Sequence, residues 1–126
     1  MKTRTLKMSV VVLAFAAVSA FGQQEPINSR AELRDALATA KSAADHARIA
    51  FYFHQAATEY AQRQAEEEQI AARWEKMYGS WTKSPNPYRS AMNLAAYYGK
   101  LASDARAHAR EHDKVSGSLH DSGVSS

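Results

Sequence analysis

The chain contains no cysteine among its 126 residues, so neither a disulfide framework nor a thiolate metal site is open to it. Only 5 Gly and 3 Pro interrupt it, which excludes collagen-like and Pro/Gly-rich disordered chains and leaves room for long uninterrupted helices. No apolar run approaches the roughly 20 residues that a bilayer-spanning helix needs. No Gly-rich phosphate loop, dinucleotide fingerprint or Ser-centred hydrolase motif occurs. The zinc-protease pattern HExxH is missed as well, because in His108-Ala109-Arg110-Glu111-His112 the glutamate stands one position late. These absences point away from an enzyme.

The first 22 residues read as an export signal to be set aside before any fold reasoning. Lys2, Arg4 and Lys7 make a basic start, Ser9–Val18 a short apolar core, and small residues permit cleavage after Ala20 or after Gly22. An uncleaved anchor would need a longer apolar run. No cysteine follows the core, so no lipid anchor of that kind is available. The expected location is the periplasm or the extracellular space, with no stable membrane anchor after cleavage.

Removing the signal changes the charge. The full chain has 16 Lys+Arg against 13 Asp+Glu, and three of the basic residues lie in the signal, so the mature chain carries 13 of each. The pI near 9.3 therefore belongs to the signal. A nucleic-acid binder should keep a clustered basic surplus; none survives here, and nucleic acid is not an expected partner.

What the sequence does have is alanine-rich helical periodicity. Residues 23–28 form a short lead. Ser29 with Glu32 is a capping box opening a helix over about 30–40. Ser42 with Asp45 repeats the signal and opens a second over about 43–78, with Gly79 placed to end it. Without that second cap, one helix would run from 30 to 78. Residues 79–86 form a loop, Asn86 caps and Pro87 occupies the first turn of a third helix over about 88–114. Residues 116–126 are rich in Ser and Gly and read as a disordered tail.

Apolar residues recur at steps of three and four. In the second helix the stripe is His46, Ile49, Phe53, Ala56, Tyr60, Arg63, Glu67, Ile70, Trp74 and Met77. In the third it is Leu94, Tyr98, Leu101, Ala105, His108, His112 and Val115. Both are heptad seams of the coiled-coil kind, and a short connection makes antiparallel neighbours. Trp74 and Met77 should then pack near Leu94. The expected fold is all-α: an antiparallel helical hairpin with a short extra N-terminal helix, closing into a four-helix-type bundle on self-association. A 45-residue shift aligns Ile49–Phe53 with Leu94–Tyr98 and Ala57-Thr58-Glu59 with Ala102-Ser103-Asp104, an internal repeat of small and aromatic residues.

Phe51 and Tyr52 fall off the seam, and with Tyr97 and Tyr98 they form a candidate interaction surface. Helix 1, a second copy or a ligand should cover it. The expected partner is a protein or the chain itself, as a homodimer. The other lead is histidine. His108 and His112, four apart on one face with Asp104 a further turn back, can in principle hold copper or zinc. His46 is expected to lie many ångströms from His108, outside any such site. The first expectation is no cofactor, with copper or zinc as the alternative.

The elements Ser42-x-x-Asp45-His46, Ile49-Ala50-x-Tyr52-Phe53 and Leu94-x-x-Tyr97-Tyr98 resemble a set of small uncharacterised exported bacterial helical proteins. Those open on Ser/Thr-x-x-Asp-His and repeat a Tyr-Tyr/Ala pattern. The resemblance covers about 42–113 and implies an exported helical fold without an established activity. Related chains often carry a His-Cys pair before the second Tyr-Tyr. Here that place reads Ser90-Ala91, so no role of that pair carries over.

Overall fold

A computed structural model describes residues 25–78 and 86–123. The expected export signal, most of the expected loop (79–85) and the last three residues lie outside the described residues. Three helices follow one another: α1 (Arg30–Thr39), α2 (Ala43–Tyr78) and α3 (Pro87–Asp121). The protein is all-α, and α2 and α3 pack along each other as an antiparallel hairpin. Among the described residues no helix is long and apolar enough to cross a membrane.

The helix starts are written in side chains. Ser29 Oγ accepts from the Glu32 amide at 3.1 Å, and Glu32 Oε2 accepts from the Asn28 amide at 2.8 Å. At α2, Ser42 Oγ accepts from the Asp45 amide at 3.1 Å. Asp45 Oδ2 in return accepts from the amides of Lys41 and Ser42 at 3.0 and 3.1 Å. This reciprocal cap separates α1 from α2 with neither Gly nor Pro between them, because backbone donors that a continuous helix would satisfy internally are met by one carboxylate. Asn86 Oδ1 accepts from the Arg89 amide at 3.2 Å, with Pro87 in the first turn of α3.

The hairpin seam is built from alanine. Ala91, Ala95, Ala102, Ala105 and Ala109 are the buried residues of α3, facing Ile49, Ala50, Ala57 and Ala71 of α2. The expected stripe holds at Ile49 and Ala105, which are buried, and at Tyr98, His112 and Val115, which are half-buried, whereas at Leu94, Leu101 and His108 the buried residue is the alanine one position further on. Leu94 is 44% exposed, Met77 66%, and Arg63 and His108 are exposed too, so Met77 and Leu94 do not share a closed core. Trp74 stacks on Tyr78 of its own helix, ring centroids 5.2 Å apart. Small side chains let two backbones approach closely, and the larger residues then flank the contact line. The 45-residue repeat is a repeat of this packing: Ala50 matches Ala95 and Ala57 matches Ala102, and all four are buried.

The lead is anchored, and the tail expected to be disordered is helical over its first six residues. The lead is held by Ile27, 5% exposed, and by Arg48 Nε donating to the carbonyl of Glu25. The tail expected from 116 is helical to Asp121, seven residues beyond the expected helix end. Ser116 Oγ donates to the carbonyl of Ala43 at 2.8 Å and Leu119 is half-buried, so tertiary contacts hold what composition alone would leave unfolded. Gly123 ends the helix with φ 76°, a left-handed conformation suited to glycine.

Candidate functional site at the open end of the hairpin

Because α3 runs to Asp121, the start of α2 has a helical neighbour, and histidines from both helices meet there. His46, in the first turn of α2, faces His112 of α3 with Nδ1 to Nδ1 at 3.0 Å. The two ring centroids are 5.3 Å apart and the planes differ by 21°. That centroid distance exceeds the nitrogen separation by two ring radii. The nitrogens therefore lie on the line joining the rings, and the imidazoles meet edge to edge in nearly one plane. One nitrogen donates and the other accepts, which fixes opposite tautomers on the two rings when both are neutral.

Both rings are half-buried. Burial pushes the His112 imidazole below its ordinary value, and the charges of His46 and His108 push the same way while Glu111 and Asp113 oppose them. Phe53 flanks the group, its ring centroid 4.9 Å from that of His108 and 6.0 Å from that of His112. On the outer side, His54 Nε2 and Asp113 Oδ2 pair across the hairpin at 2.7 Å.

The expected ligand set of His108, His112 and Asp104 is not assembled. Asp104 Oδ2 accepts from Lys100 Nζ at 2.7 Å on its own helix, and His108 is exposed and turned to Phe53. Among the described residues no group of three or more His, Asp or Glu side chains could hold a metal ion. His46, expected far from this region, is the direct partner of His112. The seam pattern contained the pairing, but with α3 ended at 114 it left His46 little of α3 to face.

Of the four aromatic candidates, Tyr97 and Tyr98 meet edge to face with ring centroids 5.5 Å apart, while the others face different surroundings. Tyr98 is half-buried with its ring centroid 6.5 Å from that of Tyr60 across the hairpin. Tyr52 lines a groove of about 400 Å³ between the hairpin and α1, walled by Leu33, Leu37, Phe53, Tyr60, Leu101 and His108. Phe51 sits half-buried on a polar face with His54, Gln55 and Thr58. Only Tyr97 of the four is an open surface, 57% exposed.

Leu94, Tyr97, Leu101, Asp104 and His108 follow one another at steps of three and four, a single outer stripe of α3. The groove beside α1 takes in Leu101, Asp104 and His108 and stops before Tyr97. No protein-family model, curated protein or solved structure matches the chain.

Proposed function

We propose that this is an exported, non-enzymatic helical protein that acts by associating with another protein surface, in the first place that of a second copy. The observation that carries the reading is the distribution of exposed apolar side chains. Met77, Tyr78, Tyr88, Met92, Leu94 and Tyr97 are all exposed, and all lie in the half of the hairpin beyond the reach of α1. Leu94 and Tyr97 continue the α3 stripe of Leu101, Asp104 and His108 that walls the groove beside α1, so a helix from a partner would cover the same face further along. The basic start and apolar core before residue 22 support export to the periplasm or the cell exterior.

Light scattering of the mature protein at tens of micromolar, beside the Leu94→Glu, Tyr97→Glu double variant, tests the reading. A dimer that becomes a monomer in the variant is the expected result. A strictly monomeric parent protein would remove self-association from it. A second reading, metal binding by helix histidines, has one observation in its favour: the head-on meeting of His46 with His112.

A further inference from the structure

We infer that His46 and His112 form a two-coordinate site for a soft monovalent cation of the copper(I) class, held in line between their Nδ1 atoms. The inference deepens the metal reading and is independent of the association reading. It starts from direction. Two imidazole nitrogens lying on the line between their ring centroids aim an N–H at a lone pair while they are hydrogen-bonded, and two lone pairs at one point once both protons sit on Nε2. An ion between them is bound at an angle near linear, the geometry of a two-ligand closed-shell cation.

The number of ligands selects the ion as well. Zinc takes three or four protein ligands in a tetrahedral shell. Among the described residues no third His, Asp or Glu converges on the pair. Asp45, next to His46, is occupied by the amides of Lys41 and Ser42, and His108 is turned to Phe53. Magnesium and calcium need oxygen ligands that are not assembled here. A cation satisfied by two nitrogens is what the site suits.

The fit needs a small opening. Metal–imidazole bonds are about 2 Å long, so two in line separate the nitrogens by about 4 Å. The present separation is 3.0 Å, and the rings must part by about 1 Å, within reach of side-chain rotation at two half-buried positions. The proton balance closes. The ring that now donates through Nδ1 moves that proton to its own Nε2 through solvent, and both Nδ1 lone pairs then face the ion. No net proton is released while both rings are neutral. In acid each protonated ring must first lose a proton, so affinity falls. Phe53 and the alanine seam exclude part of the water that would compete for the ion.

Silver(I) is an air-stable probe of the same preference. Titrating it into the full-length mature protein in chloride-free buffer near pH 7.5, followed by calorimetry and by ¹⁵N resonances of the imidazoles, should show one equivalent bound with both Nδ1 signals displaced. His46→Gln and His112→Gln should each weaken binding at least tenfold with helicity by circular dichroism retained, whereas His108→Gln should not. Zinc should bind at least tenfold more weakly than silver. Silver binding unchanged in both glutamine variants, displacement of Nε2 signals alone, or zinc binding as tight as silver would each overturn the site. If either glutamine variant loses helicity, the ¹⁵N assignment on the parent protein decides by itself. Repeating the titration on the Leu94→Glu, Tyr97→Glu variant separates the two readings, because the ion should bind the monomer equally well.

Discussion

At the residue scale, His112 ties stability to pH. Its folded-state pKa lies below the ordinary 6.5 because burial disfavours its charged form and His46 and His108 repel a proton, against the pull of Glu111 and Asp113. The unfolded chain therefore takes up this proton first as pH falls. The His112 contribution is present in full above about pH 6.5 and is lost as pH drops through the lowered folded-state value. The thermal midpoint of the protein should fall between about pH 7.5 and 5.5, and more steeply than that of His112→Gln; parallel curves would count against it. Gly99 offers a test of opposite sign. A Cβ there would meet Gln64 Nε2 at 3.0 Å, the far end of a flexible side chain that also donates to Glu68 Oε1. Gln64 can swing aside, and alanine is favoured over glycine inside a helix by about 1 kcal/mol. Gly99→Ala should raise the melting temperature by several degrees, and a lowered one would mean that Gln64 is locked against α3.

At the element scale, the alanine seam is what joins α2 to α3. Ala102 is fully buried on it. Ala102→Leu must push the two backbones apart and should cost about 1–3 kcal/mol by chemical denaturation, despite leucine's good helix propensity and added apolar area. An unchanged or increased stability would show that the helices have slack between them. The elements also show what the sequence could reveal. The starts of α1, α2 and α3 were legible because Ser29, Ser42, Asp45 and Asn86 write them in local hydrogen bonds. The Ser42-x-x-Asp45 part of the family-like opening is, physically, a helix cap. The seam was legible in period and in members such as Ile49 and Ala105, but at Leu94, Leu101 and His108 the buried residue is the alanine one position on, since hydropathy ranks leucine above alanine while close helix packing favours the smaller side chain. The end of α3 was not legible, because what holds residues 116–121 is the Ser116 bond to Ala43 and the packing of Leu119, neither of which is local in sequence. The His46–His112 contact was hidden for the same reason: it depends on register between two helices, and spacing along one helix reveals only His108 and His112.

At the scale of the whole molecule, the hairpin is unevenly covered. The alanine seam runs through both halves, but around residues 49–60 and 101–109 the hairpin shares a groove with α1, whereas beyond it Met77, Tyr78, Tyr88, Met92, Leu94 and Tyr97 face solvent. Local opening follows buried contact, so amides of the first region should exchange slowest in the isolated chain and those of the second faster. A second copy docking along Leu94 and Tyr97 would change only the second region, and mass action makes that change depend on concentration. Hydrogen exchange read by mass spectrometry at two protein concentrations a hundredfold apart should therefore show protection of residues 88–97 rising with concentration while that of 49–60 stays level. Protection rising in both regions together would mean that association stabilises the whole hairpin, and the α1-covered half would then be no independent folding platform. Protection independent of concentration in both would leave the exposed stripe to a partner other than a second copy.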